Sequence, residues 1–426
     1  MFPNPHDALP LPPKPSLDHY KKRAKDLLKA FRSPNPDALQ TWAADWIDSL
    51  LRLSIERREG SLPSSVIPSE VAAQRSSAAT QSRDLGSARS DQLTTQLAIF
   101  AREKLSRTPS LTAAQFIIAR SHGFESWPQL AKHIESVTRQ DSAVDHFEHA
   151  VDAIVTGDKT SLANLLKKYP NLTRAHSTRR HQATLLHYVA ANGVEDYRQK
   201  TPPNIAEITN LLLDSGAEVN AVAQLYGGST TLSLVATSIH PERAGVQNAL
   251  LQLLLDHNAT IDPADAPALL INICLANGRA QAAEFLALHG AKLDLEAAAG
   301  LGRLDLVKTF VDDTGALTTA ATPAQKDRGF LWACECGKNE TIEFLLSRGV
   351  SIQTQANTGQ TPLHWAVIGR QPETITLLLS HGADLEAKNA YGGTPLGQAL
   401  WSAAHSDAPN DYQKIAALLK LHGAKS

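Results

Sequence analysis

Cys334, Glu335 and Cys336 stand in a row, two thiols flanking a carboxylate, and such a cluster raises the question of a metal ion. On a helix, side chains two residues apart point to nearly opposite sides, so the two thiols cannot share one ion, and no metal is expected. Histidines recur at His187, His289, His364, His381 and His422. None is paired with a nucleophile and an orienting acid in the manner of a triad, and the chain carries no P-loop or zinc signature. Catalysis and cofactors are therefore not expected.

The composition points the same way. The chain has 426 residues, too many for one compact core, and at roughly 100 to 200 residues per domain it holds two to four units. Its 41 Lys plus Arg against 43 Asp plus Glu leave a net charge of -2, which gives no global attraction for nucleic acid or an anionic membrane. Three cysteines, with Cys274 the third, are too sparse for a disulfide framework and suit a reducing compartment. The first 16 residues hold six prolines and no apolar run, so a signal peptide is not expected. No 18-residue apolar stretch could span a bilayer, and the expectation is a cytoplasmic protein.

Four segments precede the region that carries the histidines. Residues 1–16 read as a proline-rich disordered tail, and Pro10, Pro13 and Pro15 are better taken as part of it than as a docking peptide. Residues 17–60 hold two amphipathic helices: one with Leu17, Tyr20, Ala24, Leu27, Leu28 and Phe31 at helical spacing, the other with Leu39, Trp42, Trp46, Ile47 and Leu50. Residues 61–90 contain nine serines and no aromatic, the composition of a flexible linker. In 91–140, Thr112 with Gln115 and Ser126 with Gln129 read as capping boxes, with Gly123 at the turn between two helices.

From about residue 150 the chain repeats itself, most clearly in GQTPLHWAVIGRQPETITLLLSHGADLEAKNAYGGTPL, residues 359–396. The Thr-Pro-Leu-His start, the Leu-Leu-Leu of the second helix and the His-Gly-Ala-Asp-Leu-Glu-Ala ending resemble ankyrin repeats, whose period is about 33 residues. Related endings place glycine at 216, 290, 315, 349, 382 and 423, with Asn258 substituting once, in steps of 42, 32, 25, 34, 33 and 41. The reading is an all-α fold: an ankyrin-repeat solenoid of about eight repeats with short β-turn fingers over residues 150–426, preceded by a helical region. The pattern is physically sensible. Thr361 can cap the first helix, Pro362 suits its first turn, and Gly382 can take the left-handed conformation that ends the second. The resemblance implies a structural hydrogen-bonding role for His187 and His364. The N-terminal helices are similar to segments that precede ankyrin arrays in uncharacterised bacterial proteins.

The irregular steps locate candidate sites. The 25-residue step leaves no room for one finger. The long steps arise from insertions between first and second helices, at 194–204, about 240–245 and about 403–410. The first two are adjacent in the stack, so Tyr197, Arg198, Lys200, His240, Glu242 and Arg243 are expected to form a mixed-charge surface patch. In the ankyrin family, partners usually meet the fingers and the inner helix surface. The matching positions here are Tyr226, Asn357, Thr358, Gln360, Ile368, Lys388, Tyr391 and Trp401, of which the aromatic residues are the stronger candidates. These readings describe a monomeric, non-catalytic scaffold for a protein partner, with no nucleic acid or membrane partner expected. Two other classes were weighed. A DNA-associated regulator would use the N-terminal helices, through the basic face Lys21, Lys25, Lys29 and Arg32 or through Gln129, Lys132 and His133 of a helical hairpin. An enzyme would need a site assembled across repeats.

Overall fold

The helical spacing of Leu17, Tyr20, Ala24 and Leu27 does produce a helix, and it opens a chain of short helices. A computed structural model describes residues 7–12, 15–59 (the backbone alone from 51), 90–139, 141–264, 266, 268–406 and 408–425. The serine-rich stretch 61–90 lies almost wholly outside the described residues. The chain forms two compact units, residues 1–259 and 260–426.

The first unit begins with α1 (Leu17–Phe31), α2 (Ala38–Glu59), α3 (residues 90–107), α4 (Leu111–Ser121) and α5 (Trp127–Thr138). They bury one apolar cluster that includes Tyr20, Leu27, Trp46, Leu97, Ile117, Phe124 and Leu130. Helix α4 is capped two residues earlier than expected. Ser110, not Thr112, is its N-cap, and its side chain accepts from Ala113 N. Ser126 does cap α5, with Gln129 Oε1 accepting from Glu125 N, though the Ser126 side chain makes no cap bond.

The described part of the proline-rich start, residues 7–12, departs from a disordered tail. Ala8, Leu9 and Pro10 are buried. Leu9 N donates to Ser121 O at 2.7 Å, and Leu9 O accepts from His122 Nδ1 at 2.9 Å. The segment has no periodicity to announce it, yet it satisfies the polar groups that the end of α4 would otherwise bury unpaired. Pro10 and Pro15 are likewise buried, so neither is presented as a docking peptide.

Helices α6 (Ala143–Thr156) and α7 (Lys159–Lys168) follow, then a 3₁₀ turn at Leu185–Ala190 paired with α8 (Ile205–Asp214). A two-residue hairpin of β1 (Val222–Ala223) and β2 (Ser229–Thr230) projects before α9 (Thr231–Thr237), α10 (Ile239–Arg243) and α11 (Gln247–Asp256). The expected insertion at 240–245 is thus largely a one-turn helix of its own.

The second unit comprises five helix pairs among the described residues. These are α12 (Leu270–Ala276) with α13 (Ala280–Leu288), α14 (Leu295–Gly300) with α15 (Leu304–Phe310), α16 (Pro323–Glu335) with α17 (Asn339–Ser347), α18 (Pro362–Ile368) with α19 (Pro372–Ser380), and α20 (Pro395–His405) with α21 (Pro409–Leu421). After Gly290 the chain enters α14 at once, with Asp294 as its N-cap, so the finger is missing where the 25-residue step predicts. The insertion near 403–410 is absorbed by lengthening α20 and α21.

First helices pack on one another through small residues. Ala298, Ala333, Ala366 and Ala399 are fully buried in the core of this unit. The tightest approach is at Gly369, where an added Cβ would lie 1.8 Å from Glu335 O. Gly369→Ala therefore forces α18 away from α16 and should cost about 3 kcal/mol or more. Gly382→Ala, at a left-handed φ of 81° with open space around it, should cost only about 1 kcal/mol. Denaturant midpoints of the two variants check the ranking.

Candidate functional site

The threonine-histidine pair that starts a repeat is a structural joint. Thr361 N donates to His364 Nδ1 at 3.3 Å, which makes the ring the Nε2–H tautomer, and Nε2 donates to Gly393 O in the next finger at 3.0 Å. His187 repeats the arrangement with Thr184 N at 3.1 Å and Ser229 O at 3.3 Å. Burial pushes the His187 ring down to about 4, so it stays neutral and keeps one acceptor and one donor. His289, His381 and His422 sit at the C-caps of α13, α19 and α21. Cys334 is fully buried, and no group of metal-ligating side chains occurs among the described residues.

The insertion at 194–204 does not present its arginine to solvent. Arg198 is 5% exposed. Its Nη1 lies 2.8 Å from Glu148 Oε2 and its Nη2 2.9 Å from Asp152 Oδ1, both on α6. Arg179 joins the same cluster, with Nη1 2.6 Å from Glu148 and Nε 2.6 Å from the fully buried Glu195. Tyr197 is half-buried, with Arg198 beside its ring and Arg179 Nη2 donating to its hydroxyl at 3.4 Å. Burial opposes charge here, but the two guanidiniums prevail. They hold Glu148 down at about 2 and Glu195 well below the usual carboxylate range. Sequence reasoning counted the insertion's charges but could not see that α6 supplies their partners from some fifty residues upstream. Lys200, His240 and Glu242 are half-buried, and of the six expected patch residues Arg243 alone is exposed. Burial lowers the pKa of the His240 ring, and the Asp196 carboxylate of the neighbouring insertion opposes that shift.

The finger and inner-helix positions are more open. Tyr391 is 82% exposed and Trp401 61%, while Tyr226, at a left-handed φ of 49°, is 67% exposed with its hydroxyl on Asn192 Oδ1. Asn357 and Lys388 are exposed; Thr358 and Gln360 are half-buried and bonded to each other. Thr358 O accepts from Ala390 N at 2.8 Å, tying one finger to the next. Ile368 is half-buried, and its carbonyl accepts from Tyr412 Oη.

Glu335, first read only as part of a rejected metal cluster, occupies the position equivalent to Ile368 and Trp401: 335, 368 and 401 fall 33 residues apart. Its carboxylate is half-buried and has no side-chain partner among the described residues, and burial alone pushes it up to about 7. Glu296, on the preceding first helix, behaves otherwise. It accepts from Trp332 Nε1 at 2.9 Å and from Arg328 Nε at 2.7 Å. A cleft of about 370 Å³ beside Asp262, Asn272, Lys292, Asp294 and Arg328 lies nearby. Its carboxylates are engaged as well, Asp262 by Leu270 N and Lys292 N, Asp294 by Ala297 N, Asn272 Nδ2 and Gln325 Nε2.

The other readings find less support in the geometry. Lys21, Lys25, Lys29 and Arg32 of α1 are exposed, with Lys21 paired to Asp18, as on any solvated helix face. In the hairpin α4–α5, His133 is buried against Thr178, so it cannot read a base edge. No described helix is long and apolar enough to cross a membrane.

Short helix pairs, stacked through small first-helix residues and linked by projecting turns, define a helical-repeat protein whose open faces are finger tips and first-helix rows. Comparison with protein families gives the class its name: residues 295–389 and 330–425 match the model described as ankyrin repeats (3 copies), and this stretch of the chain carries ankyrin repeats. A search of curated proteins finds no match. Among solved structures, the crystal structure of the human ASB11 ankyrin repeat domain is similar at 21% identity, covering 65% of this chain and 98% of that chain with a TM-score of 0.34.

Two outcomes follow from the charges. Arg198→Ala leaves Arg179 as the one guanidinium holding Glu148 and Glu195 and should cost about 3 kcal/mol, whereas Arg243→Ala should stay within about 0.5 kcal/mol. Because both glutamates are depressed, their contribution is present above 4.5 and is lost as pH falls from there toward about 2. The Arg198 variant should therefore lose its disadvantage over that window in urea titrations. Glu335 has the opposite sign. Its carboxyl is raised from 4.5 to about 7, so its ionisation costs the fold nothing below pH 4.5 and the full amount above 7. Glu335→Gln should raise Tm by roughly 5 °C at pH 8, and the gain should shrink several-fold by pH 5.

Proposed function

We propose that the chain is a non-catalytic scaffold that holds a protein partner on the fingers and first-helix positions of its ankyrin repeats. Ankyrin repeats are in general protein–protein interaction modules. The observation that carries the reading here is the exposure of Tyr391 and Trp401, large side chains left in water on the array. Tyrosine and tryptophan dominate binding energy at interfaces because they bury a large area at low entropic cost. The reading takes residues 150–426 as the repeat array, residues 17–60 and 91–140 as helical segments before it, and the protein as a cytoplasmic monomer.

The test is affinity capture from a lysate of the organism, comparing the full chain with the Tyr391→Ala, Trp401→Ala double variant and with Arg243→Glu. A protein retained by the wild type and by Arg243→Glu but lost from the aromatic variant is the expected result. Retention of the same proteins by all three would remove the fingers and first helices as the site. Recovery of nothing beyond what an unrelated repeat protein retains would overturn the scaffold reading itself.

A further inference from the structure

The row of Glu335, Ile368 and Trp401 contains a half-buried carboxylate with no ion-pair partner among the described residues. Lys338, three residues on, and Arg370, next to Gly369, are both directed elsewhere. Lys338 Nζ lies 3.0 Å from Glu284 Oε1, and the Arg370 guanidinium sits over the Tyr412 ring, 5.9 Å from its centroid. Tyr412 itself gives its hydroxyl to Ile368 O. The close approach at Gly369 brings α18 over the Glu335 backbone, and Gln371 Nε2 bonds the Glu335 carbonyl at 3.1 Å, so the end of α16 is walled in while the carboxylate still reaches solvent. At the other end of the row, Trp401 is stacked by His405 with centroids 4.6 Å apart, next to Leu400, which is 45% exposed. A carboxylate taken partly out of water and left unpaired is an unfavourable arrangement that a cation would relieve.

We infer that this row binds an extended segment of the partner protein through one arginine or lysine side chain on Glu335, with an apolar side chain further along the segment resting on Trp401 and Leu400. The inference rests on the scaffold reading and gives it a partner chemistry. Charge complementarity selects the occupant: a carboxylate desolvated on one side and open on the other accepts a guanidinium or ammonium and rejects an acidic segment. Geometry sets the spacing. Successive first helices lie roughly 8–10 Å apart, so α16 to α20 spans about 16–20 Å, which an extended chain covers in roughly six residues. The basic and apolar residues of the partner are therefore expected about six positions apart, with about three residues passing each repeat.

The test uses a displayed library of random short peptides selected on the full chain, with enriched peptides then measured by fluorescence anisotropy. The expected result is enrichment of one basic position paired with an apolar position about six residues away, and at least about tenfold weaker binding to Glu335→Lys and to Trp401→Ala. Glu335→Gln keeps the side chain's shape, and thermal melts show whether each variant is folded. It should also weaken binding, so a failure of Glu335→Lys to fold does not leave the inference standing by default. Enriched peptides without a basic position, or binding that neither Glu335 variant changes, overturn the assigned chemistry while leaving the scaffold reading intact. A library that yields no binder overturns the inference too, and the lysate capture then decides separately whether the scaffold reading survives.

Discussion

Neighbouring first helices in the C-terminal unit must come close enough to exclude water, and this requirement decides what can stand between them. Ala298, Ala333, Ala366 and Ala399 line the contact, and Gly369 is pressed so near Glu335 O that any side chain there would collide. Gly329 serves in the same way against Ala299 and the backbone of α14. A repeat cannot bury its own apolar face, so stability comes from these interfaces. The same helices also have positions that this packing does not dictate, and there the half-buried Glu335 and the exposed Trp401 stand. Alanine and glycine on one side of a helix are what make large or charged residues possible on the other.

The carboxylates show three ways of meeting a low-dielectric environment. Glu148 and Glu195 are surrounded by arginines from distant parts of the chain, so their charge is kept and depressed in pKa. Glu296 is satisfied by an indole and a guanidinium. Glu335 has neither, and its carboxyl rises instead. The difference lies in which groups the fold brings within reach.

Helices and their approximate ends were legible because apolar periodicity and left-handed glycines are local signals, as at Gly216 and Gly382. The missing finger before α14 was legible for the same reason, being a matter of spacing. The buried run at Leu9 was not, since it has no period and makes its bonds with Ser121 and His122 more than a hundred positions away. Arg198 was misplaced on the surface because charged residues in a polar insertion normally are exposed. Glu335 was overlooked as a binding candidate because its significance lies in the absence of a counter-ion, and an absence in three dimensions leaves no mark on a linear pattern. Tyr391 and Trp401 could be picked out because their positions within the repeat already place them outward.

The ionic cluster around Arg179 and Arg198 also bears on how such a chain can be divided by recombination. Repeat arrays are commonly lengthened, shortened and exchanged one unit at a time, because each unit contacts only its neighbours. Here Glu148 belongs to a helix that precedes the insertion holding Arg198, and Arg179 lies between them. A crossover near residue 150 would separate the glutamate from both arginines and leave buried charge on each product. The repeats from α12 onward are tied across neighbours by simpler contacts, such as Glu296 with Arg328 and Lys338 with Glu284, whereas the segment from α6 to the insertion must be inherited whole.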